Sequence, residues 1–265
     1  MESQNSCPCV TVLIPARNSE DFIAESLLSA INQDHIAEIL VVINDSSDKT
    51  ENLVKELAIR HPKIRHINTS VAGIANALNT GIQQIQTDYI ARLDADDVMV
   101  ENRIARQVQY MRDHPSIVVL GSQLEYISSE GEVTGHSKYP TRSSLVNVYL
   151  SFGNPIAHPS VLMRTSFLPE NPYKIEFEGV EDLALWIQLA NSNELANLDE
   201  YLTRYRQHPN QVSISPKIKF REIQLRSSSN LFSKSKPFQR IIKNSLNFLK
   251  ILWIRNRIRQ IETKL

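Results

Sequence analysis

A chain of 265 residues, 42% hydrophobic and 22% charged, can build a real core, enough for one α/β domain with an appendage or for two small domains. It lacks a run of about 18 apolar residues, which argues against a spanning helix, and its first six residues lack the basic-then-apolar order of a secretory signal. Formal charge is zero but unevenly placed: from Lys234 onward there are nine basic residues and one acid, leaving 20 basic against 28 acidic residues before it, an asymmetry that can signal a membrane or polyanion contact. Cys7 and Cys9 offer too few ligands for zinc and too short a loop for an unstrained bridge, so reduced thiols and a cytoplasmic setting are expected.

Residues 10–14 form a mostly β-branched run stopped by Pro15, as expected of a strand buried on both faces. Residues 19–33 follow with Phe22, Ile23, Leu27, Ala30 and Ile31 at helical spacing. A second strand over 38–43 ends in the polar loop Asn44-Asp45-Ser46-Ser47, and Asp48 with Glu51 has the spacing of a capping box that opens the next helix. Residues 64–68 suit a third strand, 73–81 a loop entering a helix, and 89–93 a strand that delivers Asp94, Asp96 and Asp97. The alternation predicts a parallel sheet with helices on both faces, where ligands bind beyond the carboxyl ends of strands. Asp45 and the acidic cluster both stand at such ends.

The second half is less regular. Residues 117–120 and 123–127 read as strands, 128–131 as a turn, and 154–164 as extended, because residues before proline avoid the helical region. A helix over 179–189 places Leu183, Leu185, Trp186 and Leu189 on its apolar face and Glu181 and Asp182 in its first turn. After Ser213 the chain turns basic and Ser-rich. The expected division is a tail over 1–8, a domain over 9–215 with halves over 9–100 and 101–215, and a basic helical extension over 216–265.

Three carboxylates at a strand exit concentrate charge that a hard cation offsets, and Mg²⁺ is usually held by one or two carboxylates plus substrate phosphates. A solvated acidic turn is the plainer alternative. Asp96 is the expected direct ligand, with Asp94 on ribose hydroxyls or a metal-bound water; such a cation would neutralise a diphosphate as its bond breaks. A carboxylate at Asp45 accepts hydrogen bonds only, which suits the N3–H of uracil and not the bare N3 of cytosine, although an Asx-type turn explains it as well. Gly73 before a helix N-terminus lets a phosphate approach backbone N–H groups, or is a simple turn. Asp182 is the candidate general base for an acceptor hydroxyl, helped to stay ionised by the helix N-terminus, with plain capping as the alternative. His158 and His208, each beside a proline, are candidates for phosphate or metal contact, a structural role being the commoner one.

Seven stretches, in order across roughly residues 10–215, resemble the family 2 glycosyltransferases, inverting enzymes of GT-A (Rossmann-like) fold that use nucleotide sugars. They run from Val10 to Asn18, Glu38 to Asp45, Gly73 to Ile82, Tyr89 to Asp97 and Asn154 to Arg164, followed by Glu181-Asp182 with Leu185-Trp186, and by Tyr205-Arg206-x-His208-Pro209. The resemblance implies an α/β fold with a mixed, mostly parallel sheet flanked by helices, and Mg²⁺ or Mn²⁺ as cofactor. It implies nucleotide contacts from Pro15, Ala16, Arg17, Asn18, Asp45, Gly73, Asn76, Asp94 and Ala95, and metal ligation by Asp96 and His208. Asp182 would be the base, with acceptor or phosphate contacts from His158, Glu181, Trp186 and Arg206. The implied reaction is one displacement at the anomeric carbon, moving a sugar from a UDP-sugar to a hydroxyl of a glycan or lipid-linked saccharide without an enzyme nucleophile.

Two departures stand out. Asn44-Asp45-Ser46-Ser47 replaces the family's common Asp-Asp-Gly-Ser in a loop one residue shorter, and Arg17 stands where an aromatic often stacks on the base, a task its planar guanidinium can share. The Gln-x-x-Arg-Trp pattern of processive synthases is absent, so transfer of one sugar or a few is expected. A haloacid-dehalogenase-like phosphatase also uses Asp-x-Asp after a strand, but here a complete βαβ unit precedes it. A nucleotidyltransferase would want glycines after the first strand, and a catalytically silent nucleotide-sugar binder would not need Asp182. Residues 237–259 suit a basic amphipathic helix that could lie peripherally on an anionic membrane, at the inner face of the cell membrane, or pack on the acidic body or a second subunit. Its aromatics sit on the apolar stripe, which argues against nucleic acid.

Overall fold

The computed structural model describes residues 10–151 and 153–209. The chain divides into a unit of residues 1–222 and one of 223–265, and everything described belongs to the first. The boundary expected near 215, the helix expected over 237–259 and both cysteines lie outside the described residues. Among the described residues, no helix is long and apolar enough to cross a membrane.

The opening β-branched run forms β1 (Val10–Ala16), whose residues are buried almost throughout, as a central strand requires. Three more strands follow through intervening helices: α1 (Ile23–Ile31) leads to β2 (Ile36–Asn44), α2 (Thr50–Arg60) to β3 (Ile64–Thr69), and α3 (Ile74–Ile82) to β4 (Tyr89–Arg92). These four pair in parallel in the order β3-β2-β1-β4. The chain builds outward from β1 to one side and then returns to its other side, so the order reverses beside the carboxyl ends of β1 and β4, where a crevice for ligands opens. Gly81 lets α3 lie close on this sheet: a Cβ there would stand 2.4 Å from Leu13 Cδ1 and 3.0 Å from Val42 Cγ2.

The remaining elements are β5 (Val98–Met99), α4 (Arg103–Asp113), β6 (Ile117–Ile127), β7 (Val133–His136), α5 (Ser143–Tyr149), β8 (Leu162–Arg164), α6 (Glu181–Leu189) and β9 (Glu194–Arg206). They extend the sheet to β3-β2-β1-β4-β8-β6-β9-β5, with β7 on β6. β8 is antiparallel to both β4 and β6, and β9 runs parallel to β6 while its end pairs antiparallel with β5. The result is the expected mixed, mostly parallel sheet flanked by helices. Buried Arg103 ties the two halves, donating to the carbonyls of Pro159 at 2.8 Å and Arg92 at 2.9 Å.

Three local expectations need correction. The two strands read within 117–127 are one, because Ser122 and Gln123 stay in the sheet at a register shift and Gln123 bonds the Tyr139 carbonyl at 2.9 Å. Residues 158–160 form a 3₁₀ turn and not extended chain, since Pro159 has the fixed φ that suits the first position of a helical turn. The capping box does not close. Glu51 turns to Lys55 and Asn68, and the backbone N–H of Lys49 is taken by Glu20 Oε2 at 3.0 Å.

Candidate functional site

Arg92 and Asp94 are two residues apart at the end of β4, a spacing that puts them on one face of an extended chain. They form an ion pair in which Arg92 is 2% exposed. Burial opposes the charge on the Arg92 guanidinium, yet Asp94 and then Asp97 outweigh it and hold its pKa above the usual value. Burial pushes the Asp94 carboxyl up against the pull of Arg92. Asp97 is fully buried, and burial followed by the charges of Asp94 and Asp96 drives its pKa well above the ordinary carboxylate value. Its Oδ1 accepts the Arg206 backbone N–H at 2.9 Å. Oxygens of Asp94, Asp96 and Asp97 lie within 4.8 Å of one another.

The end of β9 closes over this loop. Arg206 Nε donates to the Asp96 carbonyl at 2.9 Å and Nη1 to that of Ser129 at 3.0 Å, while its guanidinium stacks 4.8 Å from the Phe22 ring centroid and pairs with Glu25. Two residues later His208 Nε2 meets Asp96 Oδ2 at 2.8 Å. Asp94 and Asp96 both line the cavities described next, Asp94 already paired with Arg92, whereas Asp97 turns inward. Two accessible carboxylates, one of them with an imidazole in contact, fit a hard divalent cation that completes its shell with phosphate oxygens.

Two cavities open beyond the strand ends. The first, of about 290 Å³, is lined by Pro15, Ala16, Arg17, Asn18, Asn44, Gly73, Asp94, Ala95, Asp96 and His208, among others. Asp45 and Asn76, expected here, are not in this lining. Asp45 is exposed with φ 51°, its N–H held by the Thr69 carbonyl at 3.2 Å; successive strand residues face opposite ways, so Asn44 turns inward and Asp45 outward. Asn76 spends its amide on Thr69 Oγ1 at 3.1 Å and the Val71 carbonyl at 2.8 Å. Sequence reasoning missed Asn44. Its Nδ2 donates to the Gly73 carbonyl at 2.7 Å, which fixes the amide orientation and leaves Oδ1 a buried acceptor without a protein partner.

The second cavity, of about 420 Å³, is lined by Arg92, Asp94, Asp96, Asn154, His158, Glu181 and Asp182, with Tyr126, Tyr139 and Tyr205 among the other walls. Asp96 and Asp182 therefore face one space. Asp182 Oδ2 accepts from Asn154 Nδ2 at 2.6 Å and Oδ1 from the Leu183 N–H at 2.7 Å. Burial, reinforced by the Asp182 charge, pushes the Glu181 carboxyl up to about 8 although it accepts the Gly179 N–H at 2.6 Å. Burial and then Arg92 hold His158 well below its ordinary value, so it is neutral, with Nε2 on the Tyr173 hydroxyl at 2.8 Å.

Two expected contacts are struts. Trp186 is fully buried, its ring edge-on to His158 at 5.8 Å, since the apolar face of α6 must cover the sheet. Arg206 is buried by the carbonyls it organises and lies in neither lining. The start of α3, expected to meet a phosphate, carries Glu178: its Oε1 accepts the Ile74 N–H at 2.6 Å and its Oε2 the Ala75 N–H at 3.2 Å. No periodicity marks that pairing across 104 residues. The Arg92–Asp94 pair was legible from an arginine inside an apolar strand two residues before an acid.

Comparison with known proteins matches residues 11–168 to the profile of glycosyl transferase family 2. An uncharacterized glycosyltransferase of Haemophilus influenzae is 33% identical over 221 residues, covering 78% of this chain and 68% of the relative. The Escherichia coli UDP-Glc:α-D-GlcNAc-diphosphoundecaprenol β-1,3-glucosyltransferase WfgD is 26% identical over 217 residues, 81% of this chain and 82% of WfgD. Among solved structures, Staphylococcus aureus TarS 1-349 in complex with UDP superposes with a TM-score of 0.64 at 20% identity, over 82% of this chain and 64% of that one. Other relatives are much longer: the chain spans 28% of a Rickettsia bellii glycosyltransferase.

Proposed function

The chain belongs to glycosyltransferase family 2, and from that premise we propose that it moves a sugar from a UDP-sugar to a hydroxyl of a glycan or lipid-linked saccharide in one inverting displacement assisted by Mg²⁺ or Mn²⁺. The observation that carries the proposal is the shared cavity of Asp96 and Asp182. Relatives support its terms: WfgD is named for UDP-Glc and a diphosphoundecaprenol-linked sugar, and TarS has been solved with UDP and with UDP-GlcNAc.

In this reading the nucleotide occupies the smaller cavity, its base beside the Pro15–Asn18 loop. Asn44 Oδ1, an acceptor held in place through Nδ2, receives the uracil N3–H in place of Asp45; cytosine, with no proton there, would leave it unpaired. Asp96 with His208 would hold the cation, which supplies Lewis-acid neutralisation of the leaving diphosphate. Asp94, which lines both cavities, and Arg92, which lines the larger one, would flank the transferred sugar. Asp182, oriented by Asn154, takes the proton of the acceptor hydroxyl as its oxygen attacks the anomeric carbon and UDP departs. Neutral His158 and largely protonated Glu181 complete a site able to donate hydrogen bonds to sugar hydroxyls. In the same reading the basic stretch 237–259 meets an anionic membrane peripherally; sedimentation with anionic vesicles before and after its deletion tests this, and unchanged sedimentation would overturn it.

Binding and turnover should be screened across UDP-, GDP- and dTDP-sugars with Mn²⁺ or Mg²⁺. Cation-dependent hydrolysis or transfer confined to UDP-sugars is expected. Preference for a GDP-sugar would overturn the base assignment, and full activity in a chelator would overturn the cation's role.

A further inference from the structure

The segment that carries Asp182 is fastened to α3 at three heights. Gln83 Nε2 donates to Asn171 Oδ1 at 2.8 Å. Asn79 and Tyr173 exchange two bonds, Asn79 Nδ2 to the Tyr173 carbonyl at 2.7 Å and the Tyr173 N–H to Asn79 Oδ1 at 3.0 Å. At the top, the Glu178 carboxylate spans the first helical turn through the N–H groups of Ile74 and Ala75. Asn79 and Gln83 are four residues apart and share a helix face, so α3 serves as a template for residues 171–178.

The top fastening differs from the other two. It uses two N–H groups that a helix leaves without intrahelical acceptors, at the end where the dipole favours an anion. Gly73 and Gly179 flank it with φ of 113° and 88°. A Cβ on Gly73 would stand 3.2 Å from Glu178 Oε1, a tight contact, on a backbone whose φ of 113° L side chains rarely adopt. Glu178 lines the nucleotide-side cavity, and Asp182, four residues further along the chain, lines the other.

We propose that Glu178 is a positioning residue: its pair of hydrogen bonds to the start of α3 fixes the loop that leads into α6, whose first turn carries Asp182, and thereby sets the base against the nucleotide-side cavity. The proposal rests on the reading of Asp182 as the base. It also withdraws the Ile74 and Ala75 N–H groups from the donor's diphosphate, leaving that group to the Asp96 side of the cavity.

The test uses the full chain with Glu178→Ala and Glu178→Gln. Hydrogen–deuterium exchange is expected to quicken at Ile74, Ala75 and residues 171–182, more in Glu178→Ala than in Glu178→Gln, whose side-chain oxygen still accepts one N–H. With a UDP-sugar, kcat is expected to fall roughly 10- to 100-fold in Glu178→Ala, the scale of a base misplaced by about 1 Å, with partial recovery in Glu178→Gln and unchanged UDP affinity. Unchanged exchange overturns the fastening itself. Faster exchange with unchanged kcat overturns its effect on Asp182, and tighter UDP binding overturns positioning in favour of competition between carboxylate and diphosphate. If the unsubstituted protein transfers sugar from no UDP-sugar, the proposed reaction fails, while the exchange comparison still accepts or rejects the fastening.

Discussion

Replacing Asp182 by asparagine separates binding from chemistry, because Asp182 lines the larger cavity and not the nucleotide-side one. The carboxylate accepts two short hydrogen bonds, from Asn154 Nδ2 at 2.6 Å and the Leu183 N–H at 2.7 Å. An asparagine oxygen can keep one of these, and its NH₂ would face the other donor. Losing one bond to a charged acceptor costs about 1–3 kcal/mol, which a folded unit of this size tolerates. Removing a general base costs about 10²- to 10⁴-fold in rate, or about 2.7–5.5 kcal/mol of barrier. Asp182→Asn is therefore expected to bind UDP as the unsubstituted protein does, in calorimetric titrations with Mn²⁺, while its transfer rate falls by that factor. A variant that transfers sugar at the unsubstituted rate would refute the assignment of Asp182 as base.

Asp96→Ala is expected to abolish the difference between UDP affinities measured with Mn²⁺ and with a chelator, because of the two carboxylates that face both cavities it is the one not spent on Arg92; a persisting cation effect would place the ion elsewhere. The raised Glu181 carboxyl means that the folded state holds this proton more tightly than the unfolded chain. Its contribution is fully present below 4.5 and declines as pH climbs towards about 8, so Glu181→Gln should flatten the fall of stability over that window in urea titrations. Identical slopes in both proteins would count against the shift. Gly81→Ala should lower the urea midpoint by an amount worth about 1–3 kcal/mol without changing the slope, since the new Cβ would meet Leu13 at 2.4 Å.

The sequence disclosed the elements whose signals are local. The apolar runs behind β1, β2 and β4, the polar loops that end them, and the apolar stripe of α6 follow from periodicity and turn chemistry alone. The placement of Asp96 and Asp182 at one cavity followed from topology, because strand ends in such a sheet converge. Pairing across long separations was hidden. Arg206 was expected to touch acceptor or phosphate, because a guanidinium between Tyr205 and Gln207 gives no hint that carbonyls of Asp96 and Ser129 will bury it. Gly73 looked like a phosphate turn, and nothing nearby shows that Glu178 would reach the same N–H groups. Asp45 drew attention by its charge, while Asn44, one residue earlier, had the inward register.

Asp96 waits 110 residues for Arg206 and 112 for His208. During translation, β1 and its three parallel partners can emerge and pair well before β9 exists, yet the acidic loop that follows β4 lacks the contacts of Arg206 and His208 until β9 is laid beside β6. A nascent chain halted at residue 200 would carry the Arg92–Asp94 pair and still lack Arg206 and His208, which meet Asp96. The shape of the acidic loop is thus completed only once residues 206–208 have left the ribosome.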